Sequence, residues 1–225
     1  MCYEHLASSI EKSKLTCMKI PLPIIPRISL YYRALLTLRK NVTSSEELAA
    51  LTGCTAAQVR KDLTYFGQFG TPGRGYNVES LREKLKEILG KDKAWDVALI
   101  GVGNLGSALL AYKGFKAQGF NIKYAFDNDK NKINKIKQGI KIQDIKKLKD
   151  KIKSYNIDLA IVAVPQENAQ QAIDILVSSG IKAILNFAPI RPKAPSNIQL
   201  LNIDLSIELE KLTHFLKSDV GENKG

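Results

Sequence analysis

The 225-residue sequence has few cysteines and histidines and no long hydrophobic run. Cys2, Cys17 and Cys54 are an odd number of cysteines without CxxC spacing, which argues against a disulfide framework or a zinc site. The two histidines, at positions 5 and 214, lie near opposite ends of the chain, so we predict no metal site and no catalytic centre. The apolar run at 159–164 is far shorter than the roughly 20 residues that span a bilayer, which excludes a membrane protein.

The two ends of the chain carry no pattern of a folded or targeting segment. The first residues mix acids, bases and hydroxyls without an apolar core, which excludes a secretory signal. We expect residues 1–19 to be a disordered extension and residues 218–225 to be a disordered tail. Free thiols and the lack of a signal predict a cytoplasmic protein.

The first half of the chain, residues 20–90, combines helical periodicity with a glycine-rich ribbon. Ser44 and Thr55 are N-cap residues, and Ser44 stands three positions before a glutamate, as in a capping box. This pattern is typical of a winged helix-turn-helix domain. The predicted elements, in chain order, are a helix over 27–40, a short helix capped by Ser44, a helix capped by Thr55, a hairpin over 67–76 and a helix over 78–89.

The second half, residues 91–204, alternates continuous apolar runs with helical segments. Such runs are typical of strands in a parallel sheet that is covered on both faces. The fold class is therefore α/β in this half, a Rossmann-type dinucleotide-binding domain, and it is followed by a C-terminal helix over 205–217. The predicted strands are 97–100, 122–126, 159–164, 183–185 and 200–203, and the predicted helices are 105–117, 145–154 and 169–178.

A glycine motif follows the first strand of this domain and opens the next helix. The motif is GxGxxG, and the following strand ends at Asp127, which is 21 residues after Gly106. In this context the motif predicts a site for the pyrophosphate of a dinucleotide, and Asp127 is placed to bind the adenosine ribose. An acid there favours NAD(H) over NADP(H), although Asp129 is a competing candidate and the glycines alone could serve as a turn. The motif residues are Gly101, Val102, Gly103, Asn104, Leu105 and Gly106.

Two later strand ends are candidates for the nicotinamide side of the same site. Ligands in open α/β sheets bind at the carboxyl ends of the strands. The alternative interpretation is that these residues form ordinary turns at the ends of strands, since such turns would have the same spacing in the sequence. The candidate residues are Val164 and Pro165 after one strand and Asn186, Ala188 and Pro189 after the next.

The third helix of the first domain is the candidate for DNA recognition. It carries polar and basic residues that can reach base edges and phosphates, and Arg60 suits a bidentate contact with guanine. Arg74 lies between two glycines and suits a minor groove. A solvated face of a small helical bundle is the alternative interpretation. The DNA-binding candidates are Ser44, Ser45, Gln58, Arg60, Lys61, Tyr65 and Arg74.

The net charge of +12 is weaker support for nucleic-acid binding than the position of the arginines. Ten lysines fall within 130–153, where we expect a solvated face on helices. Five of the seven arginines lie between residues 27 and 74, and arginine suits bidentate and groove contacts.

Two other functions are open at this point. One is an NAD-dependent oxidoreductase with a fused helical domain, since Tyr112 and Lys116 form a YxxxK motif, although we place that motif on a helix surface. The other is a winged-helix regulator that senses another nucleotide or a sugar phosphate. Neither histidine has an evident route to a nicotinamide ring, which favours a cofactor that is sensed and not consumed.

The segments VRKDLTYFGQFGTPGRGY, GVGNLGSALLAYKGF and ILNFAPI resemble, in this order, the Rex family of redox-sensing transcriptional repressors. The resemblance covers about residues 20–216. It implies a homodimer whose C-terminal helix is exchanged between subunits, which binds a palindromic double-stranded DNA operator and senses both NADH and NAD+. It also implies that NADH closes the dimer and releases the operator, and that the protein is not an enzyme.

The resemblance also carries residue roles. Arg60 and Lys61 correspond to DNA contacts, and residues 101–106 with Asp127 correspond to the cofactor site. Arg33, Tyr112 and Asp204 resemble a set that rearranges between the two redox states. Several family members place an aromatic residue directly after this aspartate, where it closes over the nicotinamide, whereas this chain has Leu205.

Overall fold

The computed structural model describes residues 23–70, 73–155 and 157–222, and the chain divides into two units, Met1–Lys93 and Ala94–Gly225. The division lies three residues after the boundary predicted at residue 90. The predicted extension at 1–19, Cys2 and Cys17 lie outside the described residues. Cys54 is a free thiol.

The first unit contains the predicted helices, and the side chains of Ser44, Thr55 and Asn77 cap three of them. The Ser44 hydroxyl accepts a hydrogen bond from the Glu47 N–H at 3.2 Å, and the Thr55 hydroxyl accepts one from the Gln58 N–H at 3.1 Å. The first helix begins and ends three residues before the predicted bounds, and it ends at Thr37 because the backbone is extended at Leu38. The elements are α1 (Ile24–Thr37), β1 (Val42–Thr43), α2 (Ser45–Thr52), α3 (Ala56–Thr64), β2 (Tyr76–Asn77) and α4 (Val78–Ile88).

The wing of this unit differs from the predicted hairpin over 67–76. Its strand β2 pairs antiparallel with β1, which precedes α2, with Thr43 opposite Tyr76. Gly75 permits this pairing: it has a φ of +73°, and a Cβ at this position would lie 2.4 Å from the Thr43 carbonyl oxygen. The ribbon therefore closes on a strand distant in sequence.

One apolar core holds the helices of the first unit together. Ile28, Tyr31 and Leu35 of α1 are fully buried against Val59 of α3. Leu30 of the same helix is 44% exposed. Val59 and the buried Leu63 form the inner face of α3.

The second unit is a seven-stranded sheet in the order β5-β6-β4-β3-β7-β8-β9, with β5 antiparallel and the others parallel. The strands are β3 (Trp95–Ile100), β4 (Phe120–Asp127), β5 (Ile136–Lys137), β6 (Ile140–Asp144), β7 (Leu159–Val162), β8 (Ala183–Asn186) and β9 (Gln199–Asn202). The helices are α5 (Asn104–Ala111), α6 (Gly114–Ala117), α7 (Leu148–Tyr155), α8 (Gln166–Ser178) and α9 (Leu205–Glu222), with a 3-10 turn at Ile145–Lys147.

Two predictions for this unit were wrong in detail. The helix predicted over 105–117 is interrupted, because Tyr112 has extended backbone (φ −75°, ψ 103°) and separates α5 from α6. The lysine-rich segment 130–153 is not all helix: its centre is the β5–β6 hairpin. Gln138 and Gly139, with φ values of +50° and +76°, form the tight turn that joins these strands.

The last helix, α9, extends to Glu222, five residues beyond the predicted end at 217, and the rest of the predicted tail lies outside the described residues. Every residue from 205 to 217 is exposed. The exposed large apolar side chains of this helix are Leu205, Ile207, Leu209, Leu212, Phe215 and Leu216. In the part of the chain that the structure describes, none of the helices is both long and apolar enough to cross a membrane.

Candidate functional site

The glycine motif lies at the switch point of the sheet, where β3 has β4 on one side and β7 on the other. The Gly101 N–H donates to the Phe126 carbonyl at 2.8 Å, and the Ala163 N–H donates to the Ile100 carbonyl at 2.8 Å. The carboxyl ends of the three strands therefore meet beside the start of α5. A cleft of about 780 Å³ opens there, which is the expected place for a ligand in an open α/β sheet.

The three glycines of the motif differ in what a side chain at their positions would contact. A Cβ on Gly101, whose φ is +89°, would lie 2.6 Å from the Ala163 carbonyl oxygen, and a Cβ on Gly106 would lie 2.0 Å from the Gly101 carbonyl oxygen. These two glycines are required by the protein's own packing. A Cβ on Gly103 would meet nothing within 4 Å, and Gly103 is exposed with ordinary extended backbone. The protein leaves space at Gly103, directly before the N-terminus of α5.

Asp127 is buried at the end of β4 and is bonded to the glycine turn. Its Oδ2 accepts from the Val102 N–H at 2.8 Å and from Lys132 Nζ at 3.1 Å, and its Oδ1 accepts from the Asp129 N–H at 2.9 Å. Burial by itself raises the pKa of Asp127, but these donors outweigh it and lower the pKa below the ordinary value. The carboxylate therefore stays ionised at the cleft, while the competing Asp129 caps its own turn by accepting from the Asn131 N–H.

The lysine-rich segment contributes to this cleft, which the sequence did not predict. Lys132, Lys146 and Lys149 line it together with Asp127. The three lysines come from the turn after β4, the 3-10 turn and α7, so they converge only in the folded chain. We expected only a solvated lysine face in this segment. Three of its lysines instead place positive charge at the cleft, where phosphates would bind.

The two later strand ends have different relations to the cleft. Val164 and Pro165 line it. Asn186 is fully buried and binds its own loop: its side-chain nitrogen donates to the Ala188 carbonyl at 3.1 Å, and its Oδ1 accepts from the Ala188 N–H at 3.0 Å. Ala188 is buried and Pro189 is exposed. Asn186 therefore fixes the shape of the 186–190 loop.

The switching candidates are divided between the two units. Arg33 is exposed on α1 of the first unit. In the second unit, Tyr112 is 61% exposed, with its ring edge-on to Phe115 at 5.1 Å. Asp204 precedes α9, and its Oδ1 accepts from the Ser206 N–H at 2.9 Å, as an N-cap does. Leu205, next to it, is 59% exposed.

In the first unit, α3 presents Arg60 and Lys61 to solvent, while Tyr65 packs against the core. Arg74 is exposed in the ribbon. Gln58 is not free, since its side-chain nitrogen donates to Asp62 Oδ1 at 2.6 Å.

Asp62 organises a buried polar cluster beneath α3, and the sequence did not identify this role. It is fully buried and receives two hydrogen bonds from Arg27, at 2.6 and 2.8 Å, and one from the Tyr31 hydroxyl at 2.9 Å. Burial raises the pKa of Asp62, but the donors, with Arg27 first, outweigh it and lower the pKa. Burial also raises the pKa of Tyr31. This ion pair ties α3 to α1.

Ser44, Ser45 and Arg60 share the wall of one open pocket of about 760 Å³ in the first unit. Arg60 Nη1 lies 2.8 Å from Ser45 Oγ and 2.9 Å from Glu46 Oε1. Ser45 is largely buried and Ser44 caps α2. Three residues predicted as DNA contacts are thus brought together, and Glu46 is an acid among them that the sequence did not single out.

Within the described residues, no group of three or more histidine, cysteine or acidic side chains is arranged to hold a metal ion. The groups described above that can bind a phosphate are hydrogen-bond donors and cations. They are the backbone N–H groups at the start of α5, the hydroxyls at the start of α2, and the nearby lysine and arginine side chains.

Two family models match this chain. The model described as "CoA binding domain" matches residues 92–190, and the model described as "Putative DNA-binding protein N-terminus" matches residues 19–64. The two matches fall in the two units of the structure.

Curated and solved proteins match along most of the chain. The "Redox-sensing transcriptional repressor Rex" of Desulforamulus reducens is 45% identical over 87% of this chain and 95% of its own length. RSP, described as a Rex-family repressor, has been solved with beta-NAD+ and operator DNA (TM-score 0.83, 36% identity) and with beta-NADH (TM-score 0.80, 38% identity). Each of these structures covers 92% of this chain, with 100% and 99% of the solved chain matched.

Proposed function

Since this chain belongs to the Rex family of redox-sensing transcriptional repressors, we propose that it binds operator DNA and releases it when NADH binds. RSP forms complexes with beta-NAD+ and operator DNA and with beta-NADH, which supports the same ligands here. The relatives do not favour an oxidoreductase or a regulator of another ligand. A repressor acts where the DNA is, so we place this protein in the cytoplasm.

One observation carries the proposal: a single chain joins an exposed recognition helix to a dinucleotide cleft with the acid for a ribose. Gly103 leaves space for a pyrophosphate at the N-terminus of α5, where N–H groups and the helix dipole favour negative charge. Asp127, kept ionised beside that turn, would bind the ribose hydroxyls and repel a 2′-phosphate.

We assign the remaining cofactor residues by their position at the cleft. Val102, Asn104 and Leu105 belong to the turn that would hold the pyrophosphate, and Val164 and Pro165 line the side toward the nicotinamide. Asn186 would act by shaping the loop that carries Ala188 and Pro189. In this proposal the nicotinamide is sensed and not consumed. The YxxxK residues do not share one helix, because Tyr112 has extended backbone at the end of α5 and Lys116 lies in α6, so this motif gives no support to an oxidoreductase.

The DNA would be bound by the exposed face of α3. Arg60 and Lys61 are exposed there and would contact bases and phosphates, while Ser44 and Ser45 would meet a phosphate at the start of α2. Arg74 would enter a neighbouring groove. Gln58 and Tyr65 would keep α3 in place, since Gln58 binds Asp62 and Tyr65 packs on the core.

We propose that the protein is a homodimer in which α9 is exchanged between subunits. The apolar side chains that α9 exposes between 205 and 217 support this, because a row of large apolar groups is stable only when another surface covers it. An exchanged helix would bring Leu205 to the partner's cofactor site. Arg33, Tyr112 and Asp204 would then change partners between the two redox states.

The reduced nicotinamide ring must account for the difference between NADH and NAD+ in their affinity for the closed dimer. A ligand shifts a two-state equilibrium only by its differential affinity for the two states. If NADH favoured the closed dimer a hundredfold at each of two sites, the bias would be about 5.5 kcal/mol, enough to empty the operator. Apolar groups such as Ala188, Pro189 and Leu205 disfavour the cationic ring of NAD+ more than the neutral ring of NADH.

A titration of a fluorescent palindromic operator tests the proposal. Fluorescence anisotropy is measured at a fixed protein concentration while the NADH:NAD+ ratio is raised at constant total dinucleotide. We expect the complex to dissociate as NADH replaces NAD+. An operator complex that is indifferent to the ratio would refute the redox-sensing function, and steady oxidation of NADH with added carbonyl compounds would favour an oxidoreductase.

A further inference from the structure

Arg60, which the proposed function assigns to DNA, already has a carboxylate partner in the structure. The pair with Glu46 joins α3 to the first turn of α2, the two helices of the helix-turn-helix. The Arg60 side chain is 54% exposed and that of Glu46 is 67% exposed. An ion pair that is open to solvent holds its partners weakly, so that Arg60 can exchange Glu46 for another acceptor.

The Glu46 carboxylate lies at the start of α2, where a bound anion would lie. Its two oxygens each lie 3.2 Å from Ser45 Oγ, and Oε1 lies 2.9 Å from Arg60 Nη1. Bonds to its own backbone N–H, to the Ser44 hydroxyl and to Arg60 lower the pKa of Glu46, so it is ionised at neutral pH. These hydroxyls and N–H groups at the start of α2 are the donors that a DNA phosphate would use.

We propose that Glu46 competes with DNA for Arg60, and that the Arg60–Glu46 pair is an autoinhibitory contact that DNA must break before this arginine can bind it. This inference rests on the proposed function, in that α3 must bind DNA. A phosphate offers Arg60 the same kind of charge that Glu46 already offers, so non-specific DNA gains little from the exchange. A guanine offers two acceptors in the geometry of the guanidinium group, and operator DNA can therefore displace the carboxylate.

The substitution Glu46→Gln tests this role, and Glu79→Gln is its control. Glu79 lies in the first turn of α4 and pairs with Arg82 on its own helix. Both variants remove one negative charge from the first unit, but only Glu46→Gln frees Arg60. Full-length wild type and both variants are titrated with an operator duplex and with a scrambled duplex over a range of salt concentrations, and thermal unfolding verifies that each is folded.

We expect Glu46→Gln to tighten binding to the scrambled duplex about fivefold, the factor for two unit charges about 4 Å apart in water. On that duplex the salt dependence should steepen by about 0.9 in log–log slope, because Arg60 now neutralises one more phosphate. Affinity for the operator should rise by a similar factor, because the variant no longer has to break the Arg60–Glu46 pair before it binds. The salt slope on the operator should change little, since Arg60 contacts bases there and not a phosphate. Affinity for both duplexes therefore rises, whereas Glu79→Gln raises neither to the same extent.

Three results would overturn the inference. Equal effects of Glu46→Gln and Glu79→Gln on both duplexes would make Glu46 an ordinary surface charge. Weaker operator binding with an unchanged scrambled duplex would mean that Glu46 aims Arg60 at the bases. In an Arg60→Gln background, Glu46→Gln should change the affinity for either duplex no more than Glu79→Gln does. A difference between the two variants that persists in this background would also refute the role.

Wild-type binding separates this failure from a failure of the proposed function. If the wild type prefers the operator and NADH releases it, the proposed function stands whatever the Glu46 variant does. If the wild type binds neither duplex, the proposed function and this inference fall together.

Discussion

The substitution Gly103→Ala separates ligand binding from folding more sharply than any other change in the glycine turn. A Cβ at Gly103 meets no protein atom within 4 Å, and the backbone there (φ −79°, ψ −157°) is allowed for alanine. Replacing a glycine in a compatible conformation stabilises a protein by about 0.4–1 kcal/mol, because it restricts the unfolded chain. The variant should therefore melt at the wild-type temperature or slightly above it.

The same methyl group should weaken NADH binding strongly. It occupies the space directly before α5 in which a pyrophosphate would approach the backbone N–H groups. Hydrogen bonds to a charged group contribute roughly 1.5–3 kcal/mol each, so the loss of one such bond predicts an NADH affinity about 10- to 150-fold lower. Release of the operator should then require correspondingly more NADH.

Isothermal titration calorimetry with NADH and thermal unfolding without ligand measure the two effects, and Gly106→Ala is the matched control. A Cβ at Gly106 would lie 2.0 Å from the Gly101 carbonyl oxygen, so this variant should lose stability, by roughly 1–3 kcal/mol, as well as binding. Wild-type NADH affinity in Gly103→Ala would refute the pyrophosphate position. A loss of stability equal to that of Gly106→Ala would show that Gly103 is structural.

Three further changes probe other parts of the chain. Asp62→Asn should destabilise the first unit by roughly 3 kcal/mol in calorimetry, since breaking a buried ion pair costs about 3–5 kcal/mol. Because the folded pKa of Asp62 is lowered, its contribution is present above its unfolded pKa near 3.9 and is lost as pH falls through the lower folded value, so the variant should lose less stability below about pH 4 than the wild type. Asp127→Asn should reduce the preference for NADH over NADPH about tenfold or more in competitive titrations, and an unchanged preference would exclude Asp127 as the ribose ligand. Leu212→Glu, on the exposed face of α9, should yield monomers in light scattering, and a dimer that persists would refute the exchanged helix.

Local patterns predicted most of the fold because each strand and helix is encoded in a short stretch of sequence. The buried strands β3 and β7 are continuous apolar runs, and Ser44 and Thr55 cap the helices that they were expected to cap. The errors occur where distant residues decide the structure. The wing pairs Thr43 with Tyr76, across 33 positions, and sequence periodicity carries no record of that pairing.

The candidate site was predictable where one motif contains all its parts. The glycine turn and Asp127 lie at a characteristic spacing, and the structure brings them into contact through the Val102 N–H. Lys146 and Lys149 reach the same cleft from segments that appeared to be only a solvated lysine face. No spacing rule connects them to Asp127, because a turn, a hairpin and a 3-10 turn lie between.

The arginines show why the position of a charge is informative only with its partner. Arg27–Asp62 and Arg60–Glu46 have similar shortest distances, 2.6 and 2.9 Å, and both were counted as arginines available to DNA. The carboxylate of the first pair is 1% exposed and that of the second is 67% exposed. Removing Arg27 from a buried carboxylate would leave an uncompensated charge, which is costly, whereas water and salt screen Arg60 and Glu46 and lower the cost of parting them. Arg27 therefore holds α3 in place, and Arg60, whose pair is easier to break, is the arginine that we propose for DNA.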